Sequence, residues 1–509
     1  MMKAVKNIDL NNKKVSIMEY IKLHIQKDGT LPKHLNVNQE YEKCSEEGEL
    51  HYVDGFLDGG IMYHCSPEEQ DPKPLYKVIQ LISDDKYDNA ELALNEYFYN
   101  MTEVQVFSVI DDVQKWILDN RSSLDAQSLV NFAINELSRS KNVEAIKFSL
   151  AVLELFDLSS SKKCTDAIKT LALSNEFTLF CIFAIRNWSN KNDLIFEMAK
   201  KVFGWGRIFA VNKLEPTSGT IKKWLLEEGL DNDIMPEYSV LDVAKKIDIA
   251  NFVKKENLTK TEYKYIGNII FNLLREGPCP GISELEDKEI MLENYLRQAQ
   301  KQTNDVEDYD KVLFILWYTD ELEGDLKQST LKKLCKDILS GKQCKKTVES
   351  AMRHGTGFKL ARYLGINSYK YAVECIQKNP IKHMNLLYIA LTDDVETNKK
   401  IIKLYEQALP LDKIATGPEN TLGFGRKLTP DFMYLGMVLQ NLYDYRGVGE
   451  KLIECALNSP SKQNRHTALN VIEKWQENGA KISCTLQQAI DRLKNTEVDD
   501  ELKDRLKKL

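Results

Sequence analysis

The sequence predicts an all-α protein: an irregular HEAT-like array of antiparallel helical hairpins (an α-solenoid) with an irregular N-terminal cap. Three observations lead there. Apolar residues recur at spacings of three and four over most of the chain. The 13 prolines and 24 glycines of its 509 residues cluster between such segments. An internal echo relates two distant helices.

The periodicity is clear from Ser122 to Phe156. Leu129, Phe132, Ala133 and Leu137 form one set, and Val143, Ile146, Phe148, Leu150 and Leu153 the next. Each set falls mainly on one face of a helix. The polar break Ser138-Arg139-Ser140-Lys141-Asn142 is short, so the two helices run antiparallel and touch. Further helices are predicted near 162–173, 176–188 and 191–203. The 176–188 segment is apolar nearly all round and belongs between neighbours.

The echo sets Arg207-Ile208-Phe209-Ala210-Val211-Asn212-Lys213-Leu214 against Arg465-His466-Thr467-Ala468-Leu469-Asn470-Val471-Ile472. In both, an alanine follows the arginine by three, and an aliphatic follows it by seven. A tryptophan-containing segment ending in glycine comes after each, Trp224 to Gly229 and Trp475 to Gly479. A small residue at such a spacing lets neighbouring helices approach closely, as in stacked helical repeats.

The N-terminal part reads differently. A helix is predicted near Ser16 to Gln26. Residues 28–70 then carry turn signals such as Asp28-Gly29, Leu31-Pro32 and Asp54-Gly55-Phe56-Leu57-Asp58-Gly59-Gly60. The expected organisation is a cap over 1–75, a first helical-repeat segment over 76–276, and a second over 282–509. The break between the segments is Glu276-Gly277-Pro278-Cys279-Pro280-Gly281, and a long loop is expected at 409–430.

Composition narrows the function. Hydrophobic residues are 43% and charged residues 28%, enough for a sizeable core. Lys plus Arg number 69 against 76 Asp plus Glu, a net charge of -7 that disfavours nucleic acid as a partner. Lys332-Lys333 and Lys345-Lys346 read as solvated helix surface. No stretch reaches the roughly 20 apolar residues of a membrane span. No apolar run follows the first residues, and the 10 cysteines show no two-residue spacing. A cytoplasmic protein with reduced thiols and no membrane partner is expected.

Several segments carry a family resemblance. They are Val202-Phe203-Gly204-Trp205-Gly206-Arg207-Ile208-Phe209-Ala210-Val211, Leu225-Leu226-Glu227-Glu228-Gly229, and Leu409-Pro410-Leu411-Asp412-Lys413 with Thr416-Gly417-Pro418. Ala456-Leu457-Asn458-Ser459-Pro460 with Arg465 and Ala468-Leu469-Asn470 belongs with them. This pattern resembles a bacterial family of about this length commonly labelled limonene hydroxylase. The resemblance implies oxidation of the monoterpene limonene, a small apolar molecule, with NAD-linked oxidation of the resulting alcohol. It carries over no catalytic residues, so these are unknown.

The residues themselves show no evident cofactor site, and NAD enters only through the resemblance. Oxygen insertion into a C–H bond requires haem, flavin or iron. Cys279 lacks the context of a haem thiolate, and no Glu-x-x-His pair is present. Gly204-Trp205-Gly206, Gly355-Thr356-Gly357 and Gly423-Phe424-Gly425 each lack the third glycine of a dinucleotide loop and read as turns.

His51 and His64, with Cys65 and the Asp54/Asp58 pair, are weak metal candidates, and no metal site is expected. Asp54 and Asp58 read as turn or helix caps, with a paired acid and base as the alternative. His354, His383 and His466 read as surface or cap residues. Trp188, Trp205, Trp224, Trp317 and Trp475 sit at apolar helical positions and are expected in the core, Trp205 alternatively lining a cleft.

The function expected first is therefore an interaction scaffold for a protein or peptide. Its binding residues would be Trp205 and Arg207 with Gly417, Phe424 and Arg426. The hydroxylase is the rival.

Overall fold

Serine, aspartate and asparagine open helix after helix, because their side chains satisfy backbone N–H groups that have no partner within the first turn. Ser16 caps Ile17–His24, Asp125 caps Ala126–Arg139, Asn142 caps Val143–Leu153, and Ser161 caps Lys162–Leu171. In this computed structural model, residues 15–38, 52–66, 70–100, 105–321, 326–420, 429–479 and 481–508 are described. Every regular element among them is a helix. None is long and apolar enough to cross a membrane.

The chain divides into two compact units. Residues up to 298 form the first, apart from a short stretch outside the described residues, and residues from 299 onward form the second. The division falls within the helix Lys288–Gln302.

In the first unit Ala126–Arg139 packs on Val143–Leu153, as the short polar break requires. The helix Thr178–Ala184 lies against both Val143–Leu153 and Trp205–Lys213. Its residues Leu179, Phe180 and Cys181 are fully buried, which accounts for its lack of a polar face. Trp205–Lys213 also meets Lys191–Ala199 and Glu237–Ile247. In the second unit Val306–Glu321 packs on Leu326–Leu339. Lys462–Glu477 is held between Pro430–Gln440 and Glu450–Leu457.

Three expectations need correction. The segment 28–70 is not irregular throughout, because Phe56–Tyr63 is a helix despite two glycines in its middle. Within the loop expected at 409–430, Leu411–Ile414 is a helical turn, and residues 421–428 lie outside the described residues. Trp317 is 40% exposed, whereas the other four tryptophans named above are buried.

The two arginines of the internal echo make the same local contact. Arg207 donates from Nε to the Val202 carbonyl at 2.8 Å, and Arg465 from Nη1 to the Pro460 carbonyl at 2.9 Å. Each reaches back five residues to the loop that precedes its own helix. The echo ends there, because Trp224 lies on a separate helix, Gly219–Glu228, while Trp475 lies on the same helix as Arg465.

Candidate functional site

Ser174 and Glu176 tie the helical body of the first unit to the cap, and Asn175 between them holds the backbone of Gly204 and Gly206. Ser174 Oγ donates to Asp54 Oδ2 at 3.1 Å. Asn175 Oδ1 accepts the backbone N–H of Gly204 at 3.1 Å and of Gly206 at 3.2 Å. Glu176 Oε2 accepts from Asn38 Nδ2 at 2.5 Å and from the Gly55 N–H at 2.6 Å.

The glycines around Trp205 follow from this approach. A Cβ on Gly206 would stand 2.5 Å from Thr178 Oγ1, and one on Gly204 2.9 Å from Asn175 Nδ2. Gly204-Trp205-Gly206 is thus a cradle for the Asn175 amide, not a free turn.

Lys147 lies at the centre of this junction. Its Nζ is 2.5 Å from Glu176 Oε1, 2.9 Å from Asp58 Oδ2 and 3.2 Å from Glu144 Oε1. The Glu144 carboxylate also accepts the Val106 N–H at 2.7 Å. Asp54 accepts the N–H groups of Val37 and Asn38, both at 3.0 Å.

Asp54, Asp58, Lys147 and Glu176 are all buried. Fully ionised, the three buried carboxylates and one ammonium would carry two excess negative charges out of water, with the half-buried Glu144 carboxylate beside them. Burial and the neighbouring Glu176 charge push Asp54 up to about 7. Burial likewise pushes Asp58 up to about 7, outweighing the pull of Lys147. Burial draws the Lys147 ammonium down, but its three carboxylate partners hold it above the usual lysine range. Among the described residues, Asp58 Oδ1 has no hydrogen-bond partner.

Above this ionic cluster the cap presents an apolar edge. Tyr52, Val53 and Phe56 are exposed. The rings of Tyr52 and Phe56 are stacked, 4.8 Å between centroids and 1° from parallel. Phe56 stands edge-on to Trp205 at 6.3 Å. Trp205 also contacts Tyr63 and Tyr238.

Of the residues expected from sequence, Trp205 and Arg207 belong to the first unit and Gly417 to the second. Trp205 and Arg207 are buried in the first unit, so neither side chain reaches a partner directly. Trp205 instead supports Phe56 from below. Gly417 is half-buried in the second unit, where its N–H donates to the Asn458 carbonyl at 2.9 Å. Phe424, Arg426 and His51 lie outside the described residues. His64 is exposed and pairs through Nε2 with the Tyr238 hydroxyl at 2.6 Å. Asp58 caps nothing, since it lies within its helix, whereas Asp54 does cap, its carboxylate accepting the N–H groups of the helical residues Val37 and Asn38. Lys147 and Glu176 were not anticipated. One signal for Lys147 is its place in Val143–Leu153, a helix otherwise almost wholly apolar.

A second cluster lies in the second unit, in a cleft of about 330 Å³ lined by Lys462, Gln463, His466, Asn470 and Glu501. The ligand atoms of His466, Asp499 and Glu501 lie within 4.8 Å of one another, close enough to share a metal ion. Cationic side chains of the protein already serve these groups. Lys462 Nζ is 2.7 Å from Asp499 and 3.5 Å from Glu501. Arg505 donates to His466 Nδ1 at 2.8 Å. A guanidinium only donates, so the ring proton sits on Nε2 and faces Glu501 in place of a lone pair. Burial and Arg505 pull His466 below its ordinary range.

Among known proteins, no family model, no curated protein and no solved structure matches this chain.

Proposed function

We propose that this chain is a HEAT-like scaffold that binds a protein or peptide partner, with the cap edge Tyr52, Val53 and Phe56 as its anchor. The observation that carries the reading is the solvent-exposed Tyr52–Phe56 stack. Partner surfaces take most of their affinity from a few aromatic anchors, and a rigid anchor loses little entropy on binding. Here the anchor rests on Trp205 and on the ionic cluster beneath.

The test is purification from the protein's own host, wild type beside the double substitution Tyr52→Ala and Phe56→Ala. Native mass, melting temperature and absorbance spectrum are read for each. The scaffold reading expects a stoichiometric polypeptide companion on the wild type. The variant should lose that companion while its melting temperature stays within about 2 °C, as surface substitutions do. A wild-type chain that runs alone, carries a stoichiometric chromophore and turns over limonene with a nicotinamide donor would overturn it in favour of the hydroxylase.

A further inference from the structure

Seating the cap requires an excess of carboxylates to be closed off from water. The helix Phe56–Tyr63 brings Asp58 against Lys147, and the residue before its N-cap glycine brings Asp54 against Ser174. Among the described residues, each charged group facing them can be named. Glu144 and Lys147 come from the helix Val143–Leu153, and Glu176 from the loop before Thr178–Ala184. The helix Trp205–Lys213 contributes the Trp205 indole, and Phe180 lies beneath the lysine, its ring 5.7 Å from Nζ. One ammonium cannot neutralise four carboxylates, and an unpaired buried charge is among the costliest features a fold can carry. The exposed alternative is close, since Tyr52, Val53 and Phe56 border solvent already.

We propose that docking of the cap is proton-linked: the helix Phe56–Tyr63 seats with a proton enclosed in the Asp54/Asp58/Glu144/Lys147/Glu176 cluster, and unseats as that proton is lost. The oxygen placed to carry it is Asp58 Oδ1, buried and without a hydrogen-bond partner among the described residues. The raised proton affinities of Asp54 and Asp58 agree in direction. A group that holds its proton more tightly in the seated state stabilises that state fully below the ordinary carboxylate range. This stabilisation is lost as pH rises to about 7, and further alkali changes little. Low pH therefore closes the cap over Trp205, and neutral pH loosens it.

Hydrogen exchange of the full chain tests this directly. The opening equilibrium of residues 55–63 is measured from pH 5 to 8, after correction for the intrinsic pH dependence of exchange. The helix Glu450–Leu457 of the second unit serves as control. Opening should rise about tenfold per pH unit for each proton released, then level off near pH 7, while the control stays flat. Asp58→Asn keeps the shape and cannot ionise, so the slope should fall in that variant, and Asp54→Asn is read beside it. A flat wild-type profile would overturn the proposal, as would the same slope at Glu450–Leu457. So would a slope unchanged in both variants. Should a variant fail to fold, the wild-type profile against the control decides alone. The readout is the cap's own opening, so it stands whether or not a partner binds there.

Discussion

Gly59 lies flat against the indole of Trp205, so close that a Cβ at position 59 would stand 2.3 Å from Trp205 Cε3. Gly60, its neighbour on the same helix, faces open space, with nothing within 4 Å of the corresponding position. The two glycines look alike in sequence and play opposite parts. One admits a ring, whereas the other only weakens a helix.

Alanine substitution separates them. Gly59→Ala inserts a methyl group into a filled contact, and overpacking of that kind costs about 1–3 kcal/mol. The intrinsic helix preference of alanine returns at most about 1 kcal/mol. Gly60→Ala incurs no clash and should stabilise by about 0.5–1 kcal/mol. Urea denaturation followed by tryptophan fluorescence reads both. Equal effects at the two positions would mean that the ring does not rest there.

Lys147→Met should be severe. The substitution conserves length but leaves Asp58, Glu144 and Glu176 facing one another without a cation. Breaking a buried ion pair from one side costs about 3–5 kcal/mol. Thermal unfolding should therefore move down by several degrees, more at pH 8 than at pH 5, where protons on Asp54 and Asp58 limit the repulsion. A variant as stable as wild type at pH 8 would remove the ionic cluster as the holder of the cap.

Much of the fold was legible because helices announce themselves through period and caps. The pair around Ser138-Arg139-Ser140-Lys141-Asn142 could be read from spacing alone, since Asn142 is both the break and the next N-cap. Phe56–Tyr63 could not, because Asp-Gly and Gly-Gly are turn signals, and the helix depends on the Trp205 ring that fills the glycine surface. The site was hidden for a related reason. Asp54 and Asp58 sit in a polar-looking segment, and only the fold brings them to Lys147 and Glu176, 89 and 118 positions beyond Asp58. Trp205 is buried and stands edge-on to the exposed Phe56, so its ring backs that edge.

Glu136 offers a pH test on a carboxylate outside the Asp54/Asp58 cluster. It is buried on the helix Ala126–Arg139, and burial, then the nearby Glu91 charge, push it up to about 7. Its folded proton affinity is raised, so its contribution is full below the ordinary carboxylate range and gone once pH passes 7. Glu136→Gln should leave stability at pH 5 nearly unchanged and raise it at pH 8. The difference between variant and wild type is to be read from denaturation midpoints at both values. A variant weaker than wild type at pH 8 would mean that the charged form is the stabilising one.

The two echo arginines should differ in how they tolerate lysine. Arg465 uses all five of its N–H donors: two bonds to Glu497, and one each to the carbonyls of Ser459, Pro460 and Glu419. Lysine has three donors on a single atom and cannot span these acceptors. Leaving buried acceptors unpaired, one of them a carboxylate, costs at least about 2–3 kcal/mol. Among the described residues Arg207 makes two hydrogen bonds, at 2.8 Å to Val202 and 3.4 Å to Glu228, and stacks on Phe203 and Trp224. Its lysine variant retains a cation beside the rings and should lose about 1 kcal/mol. Differential scanning calorimetry of the two variants decides the order. If Arg207→Lys proved the more damaging, the aromatic contacts around it would outweigh the hydrogen bonds that distinguish Arg465.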